Sequence, residues 1–177
     1  MKKLVAGAVG AFLIAGGAYA GSPYLAASNL KDAAISGDAD QLEAKVDFPA
    51  VRESLKSQFS AALMQKMNSD PDMKDNPFAG LGMMMIPAIV DKAVDAYVTP
   101  DGLSAMVRGS KPDEAKSQPA AENPNIEYAY EWVNADRFRV KMTNTKTKEA
   151  GPTLVFERNG FVSWKLVKVD IESFLDQ

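Results

Sequence analysis

Asp91 and Asp95 stand four residues apart on one face of an expected helix, the spacing at which helices present carboxylates to a metal ion. Such a site needs a second carboxylate-rich helix nearby, and the sequence offers none, so a solvated acidic face is the preferred reading. Glu127 and Glu131 share one face of an expected strand, with Arg137 and Arg139 on the next. Cross-strand charge pairing accounts for them. Asp47 and Arg52 are either a structural pair that orients a ligand or an N-terminal brace beside Pro49. The chain has no histidine and no cysteine. That removes the commonest general base and metal ligand, together with thiolate chemistry. Any catalysis would rest on Asp, Glu, Lys, Tyr or a bound cofactor. No cofactor motif is present: Gly80-Leu81-Gly82 follows no strand and lacks the third glycine and the phosphate-binding lysine. No catalytic residue, metal ligand or cofactor is assigned.

The residues better suited to binding are apolar. Met83, Met84 and Met85 lie in an uncharged run from Phe78 to Val90, and methionine suits adaptable apolar surfaces. They form either a flap or lipid-touching patch over Leu81 to Pro87, or the core-facing start of a helix broken by Pro87. Tyr97 continues the apolar face of that helix. Tyr128, Tyr130 and Trp132 alternate along a strand. They either line a pocket with their polar ends turned inward or are plain sheet core.

These residues need elements to hold them. Ser22 before Pro23 suits the start of a helix, with Ser22 as N-cap, and Tyr24, Ala27, Leu30 and Ala34 recur at helical spacing until Gly37-Asp38. A short helix follows from Asp40 through Leu42 to Val46. Beyond Pro49, the residues Val51, Leu55, Phe59, Leu63 and Met67 repeat every four positions and predict the clearest amphipathic helix. Asn68 to Asn76 reads as a polar loop. Ile86, Ile89, Val90, Ala93, Val94 and Tyr97 predict another helix, and Thr99-Pro100-Asp101 starts a short one that ends by Gly109. Residues 109–125 hold three prolines and no large apolar side chain, the composition of a flexible loop.

The last 50 residues change period. Tyr128 to Trp132 and Phe138 to Met142 alternate around a turn at Asn134-Ala135-Asp136. Leu154 and Phe156 precede Asn159-Gly160, a strong hairpin signal. A final strand is expected to carry Val162, Trp164 and Leu166 on one face and Val167, Val169 and Ile171 on the other, either covered on both sides or bulged near Leu166. Helices first and an antiparallel sheet of about four strands afterwards define an α+β fold, with 21–177 as a single domain.

The N-terminus is of another kind. Lys2 and Lys3 precede an uncharged apolar stretch from Leu4 to Ala18, and Ala18-Tyr19-Ala20 before Gly21 matches a signal-peptidase site. Residues 1–20 are therefore a signal peptide cleaved between Ala20 and Gly21, the preferred reading, or an uncleaved signal anchor continuing into Ser22-Pro23-Tyr24-Leu25. Either places the rest of the chain in the periplasm or outside the cell, or holds it there on the inner membrane. Without Lys2 and Lys3 the net charge falls from −3 to about −5, which leaves no basic footprint for nucleic acid.

The segments SPYLAASNLKDAAISGDADQLEAKVDFPAVRESLK, NPFAGLG, VDKAVDAYVTPDGLSAMVRG and LVFERNGFVSWKLVKVDI resemble a bacterial family catalogued as domain of unknown function 2939. The resemblance implies an exported or membrane-anchored protein. At the level of element order, the chain is also similar to NTF2-like α+β cones, whose curved sheet encloses an apolar pocket. These readings favour a non-catalytic exported module that binds a lipid, another small apolar ligand or an envelope protein, with membrane contact through the N-terminus if it is uncleaved. The alternatives are a cone-type enzyme using Asp or Tyr as acid or base, and a purely structural envelope protein.

Overall fold

The computed structural model describes residues 2–69, 79–108 and 125–172, with side chains at 13–69, 80–105 and 125–172. Five helices precede four strands: α1 (Lys2–Ser36), α2 (Ala39–Lys45), α3 (Phe48–Ser69), α4 (Ala79–Tyr97), α5 (Pro100–Arg108), β1 (Ile126–Asn134), β2 (Arg137–Asn144), β3 (Ala150–Arg158) and β4 (Trp164–Asp170). The fold is α+β, as the order of periodicities predicts. The strands form one antiparallel meander in the order β1-β2-β3-β4, and the helices pack on one face of it.

The expected helix start at Ser22-Pro23 is corrected. α1 runs through both residues without a break, and both are buried. Proline lacks the N–H that would reach the carbonyl four residues back, here that of Tyr19. The Ser22 hydroxyl supplies the missing donor, to the Tyr19 carbonyl at 2.8 Å. Its oxygen then accepts the indole N–H of Trp164 at 2.8 Å, a buried bond. Ser22 is thus a side-chain splint inside a helix rather than a cap.

The other boundaries follow local chemistry. Gly37, at φ 71°, ends α1 in the left-handed region. Asp38 caps α2 by accepting the Gln41 N–H. Val46 forms a parallel bridge to Leu166. Thr99 caps α5 by accepting the Gly102 N–H at 3.0 Å.

The core joins Leu30, Leu42, Val51, Val90, Phe138 and Leu166 among others. Gln58 is buried with them because all its groups find partners. Its amide donates to the Val169 carbonyl, and its oxygen accepts the Ile171 N–H.

Two further expectations on the helices are corrected. The four-residue stripe of α3 does not stay on the core. Val51 and Leu55 are buried, but Phe59 and Leu63 are exposed and Met67 is half-buried. A spacing of four overshoots the 3.6-residue turn by roughly 40° per step, so the stripe winds away from the sheet. The break at Pro87 does not occur either, since α4 continues through it.

The last expected strand also changes. β4 is an edge strand with a bulge, because Val155 pairs with Lys168 while Phe156 pairs with Leu166. That resolves the double apolar pattern in favour of a bulge beside Leu166. Val162 lies outside the strand, exposed in a longer turn closed by the Asn159 N–H on the Ser163 carbonyl. Of the expected loop 109–125, only Asn125 is among the described residues; 70–78 lies outside them as well.

The sheet has two ends. The β1–β2 and β3–β4 turns, around Ala135 and Phe161, make the turn end. Ile126, Asn144, Ala150 and Asp170 make the opposite end. α3 runs from Phe48, near Leu166, past Ile171 at the opposite end. Its last eleven residues, about 16 Å at 1.5 Å per residue, therefore project from that opposite end.

Candidate functional site

α3 and α4 form an antiparallel hairpin whose root is polar and whose tip is apolar. At the root, the Lys56 ammonium lies 3.0 Å from Asp95 and 3.8 Å from Asp91. Its pKa is raised above the ordinary lysine value of 10.5, chiefly by the hydrogen bond to Asp95. The two aspartates are brought together, but on a lysine. Arg52 donates to the Val98 carbonyl at 2.9 Å, and Asp47 accepts the Ala50 N–H at 3.1 Å as the N-cap of α3. Asp47 and Arg52 thus serve different partners.

Towards the tip, Ile86, Val90 and Val94 turn one stripe of α4 inward. Gly82 allows close approach, since a Cβ there would meet Met67 Cε at 3.4 Å. The other side of α4 faces solvent: Leu81 is 60% exposed, Met84 81%, Met85 53% and Ile89 58%. Met83 is half-buried. On α3, Phe59, Leu63 and Met64 are exposed too. No charged residue interrupts α4 between Ala79 and Val90, so the exposed face is apolar and unbroken. Patches of this kind mark contact with partners or lipid.

The aromatic stripe lies elsewhere. Tyr130 and Phe138 both pack against Tyr24 of α1, with ring centroids 5.4 and 5.0 Å away. Trp132 meets Phe138 and Trp164 edge-on, each at 5.6 Å. Lys31 sits 5.3 Å above the Tyr128 ring. The stripe is half-covered: Tyr128 and Trp132 pack against the core, whereas Tyr130 and the Tyr24 ring on it remain 48% and 43% exposed. Tyr97 ends α4, roughly 18 Å along the helix from Met85. The structure therefore does not gather Met83, Met84, Met85, Tyr97, Tyr128, Tyr130 and Trp132 into one pocket. Phe59, Leu63, Met64, Leu81 and Ile89 do share the exposed hairpin. Leu81 and Ile89 fall in the uncharged run, Phe59 and Leu63 belong to the four-residue apolar stripe of α3, and Met64 carries no signal in the sequence.

The sheet's outer face is charged. Glu131 contacts Lys141 at 2.9 Å and Arg139 at 3.5 Å. Its pKa is held below the ordinary glutamate value of 4.5, first by the Lys141 hydrogen bond and then by the Arg139 charge. Arg137 pairs with Glu157 rather than with the β1 acids. Two open depressions lie on this side, both edged by such charged residues. Among the described residues, no three Asp, Glu, His or Cys side chains are grouped closely enough to hold a metal ion. Among them also, no helix is long and apolar enough to cross a membrane; Leu4 to Phe12 of the apolar run have no described side chains.

The chain belongs to the family of proteins of unknown function DUF2939, whose model matches residues 12–106, from within α1 into α5. No curated protein and no solved structure matches it, so the likeness to NTF2-like cones carries no argument.

Proposed function

We propose that this family member is a non-catalytic module held at a membrane by an uncleaved α1, and that it docks an envelope protein on the α3–α4 hairpin. The observation that carries the docking reading is the apolar hairpin tip, where Leu81, Met84, Met85 and Ile89 stand exposed beside Phe59, Leu63 and Met64. The α4 side of the tip has area and adaptable methionines but no acid or base, which suits a protein surface better than a reaction. A small apolar ligand is less well served, because the stripe residues pack on neighbouring rings, Tyr130 on Tyr24 and Trp132 on Trp164, instead of lining one cavity.

The anchor reading rests on α1. Tyr19, Ser22 and Pro23 flank the Ala20–Gly21 bond and all contribute to the fold. Cleavage there would cut a continuous helix, remove Tyr19 and set a charged amino terminus beside buried Ser22. The family match also begins inside the apolar run, ahead of Ala20.

Photocrosslinking from Met84 in cells tests the docking reading, with an exposed α2 position, Glu43, as control. One defined protein adduct is expected at Met84, lost when Ile89→Glu is added while the thermal melt stays unchanged. An adduct that survives Ile89→Glu overturns the reading. So does native mass spectrometry showing a bound small molecule of several hundred daltons, or a second copy, in place of a partner. The intact mass of the chain from the envelope tests the anchor: full length supports it, and loss of the first 20 residues ends it.

A further inference from the structure

Resting on that anchor reading, we propose that the β3–β4 turn enters the bilayer interface next to α1, so that Phe161 and Val162 form a second membrane contact and fix the domain turn end down. Phe161 is 63% exposed and Val162 45% exposed, both apolar in a turn whose Asn159-Gly160 chemistry needs no apolar residue. They stand where α1 leaves the domain. From Leu13 to Ala18 the helix is exposed on every side, and Tyr19 is the first of its described side chains to pack. The Tyr19 ring lies 5.5 Å from that of Phe161, and its hydroxyl donates to the Ala135 carbonyl at 3.2 Å.

The turn is held there firmly. The Arg158 guanidinium is sandwiched between Tyr19, at 3.8 Å, and Trp164, at 4.2 Å. It donates to the carbonyls of Ala135 and Phe161. One side chain thereby ties the backbone of both turns to the helix, and the Phe161 ring itself rests on Tyr19.

Helix length supplies the driving force. Leu4 to Ala20 is about 25 Å of helix against a hydrocarbon layer of about 30 Å. A short apolar helix draws its flanking residues towards the bilayer, and an aromatic residue such as Tyr19 is favoured at the interface. At that depth the neighbouring Phe161 and Val162 reach the acyl boundary, while exposed Asp136 stays among the headgroups.

The chain has no cysteine, so single introduced thiols report single positions. Ile14→Cys, Phe161→Cys and Met84→Cys, each carrying an environment-sensitive nitrobenzoxadiazole label, would be read in the full chain reconstituted into phosphatidylcholine–phosphatidylglycerol vesicles. The quencher is brominated acyl chains. The labels at 14 and 161 are expected to lose most of their emission, and the label at 84 to keep it. Val162→Cys repeats the measurement with the Tyr19–Phe161 contact intact. Quenching at 14 with none at 161 or 162 overturns the turn insertion and leaves the anchor standing. No quenching at 14 overturns both. Quenching at 84 equal to that at 161 overturns the fixed orientation.

Discussion

Both ends of the molecule expose apolar side chains, yet they are held in different ways. At the turn end, Phe161 stands on a frame of directional bonds: Trp164 to Ser22, Ser22 to Tyr19, and Arg158 to two turn carbonyls. At the hairpin end, among the described residues, Met84 and Met85 stand on helix–helix packing, with the polar contacts of Lys56 left behind at the root. The two prolines repeat the contrast. Pro23 is buried and the Tyr19 carbonyl that it orphans accepts from Ser22; Pro87 is exposed in the middle of the apolar face. Directional bonds hold one pose, whereas methionine on a helix surface adapts to what meets it. A frame suits a fixed surface such as a bilayer, and an adaptable patch suits a protein partner.

Removing the ring at the centre of the frame should produce the largest effect. Phe138 is fully buried and contacts Tyr24, Tyr130, Trp132 and Trp164. Phe138→Ala is expected to destabilise the protein by about 3–5 kcal/mol. Met84→Ala at the other end should stay within about 0.5 kcal/mol. Chemical denaturation of the two variants checks this directly, and equal losses would abolish the contrast. Gly102→Ala comes next. A Cβ there would fall 1.9 Å from the Tyr97 carbonyl oxygen, so the α4–α5 junction must shift, at a cost of roughly 1–3 kcal/mol.

Ser22→Ala isolates the polar part of the frame. It leaves the buried Trp164 indole N–H and the Tyr19 carbonyl unpaired together, a loss of about 1–3 kcal/mol. Ser22→Thr keeps the hydroxyl and should recover part of it. If Ser22→Ala melts like the wild type, the splint is no more than a packing residue, and the difference between the two prolines loses its cause.

The sequence shows the α+β order plainly because period and local chemistry agree over most of the chain. Asp38, Asp47 and Thr99 cap helices, and the alternation from Tyr128 to Met142 sets the sheet. Two misreadings share one physical origin, the tertiary partner. Ser22-Pro23 has the local form of a helix start, and only Trp164, 142 residues away, makes it an interior. Phe59 and Leu63 continue an apolar stripe, but the stripe winds away from the sheet and the sheet ends near Gln58, so both lack cover. The exposed hairpin residues are half legible for the same reason. Absence of charge marks Phe78 to Val90, but which side of that helix meets the domain is decided by α3.

The smallest expected effects separate the sheet from the hairpin by pH. Glu131 on the sheet's outer face has its folded pKa lowered below 4.5 by Lys141 and Arg139. Its contribution to stability is therefore complete above that value and is lost as pH falls through the lowered one. Lys56 at the hairpin root has its folded pKa raised above 10.5 by Asp95 and Asp91. Its contribution is complete below 10.5 and is lost as pH rises through the raised value. Both sites are solvent-screened, so each effect is small. Glu131→Gln should flatten the acid limb of a melting-temperature profile and leave the alkaline limb alone, and Lys56→Met should do the reverse. A profile in which either variant moves both limbs would mean that its charge acts on titrating groups beyond its own cluster, and the separation of sheet from hairpin by pH would fail.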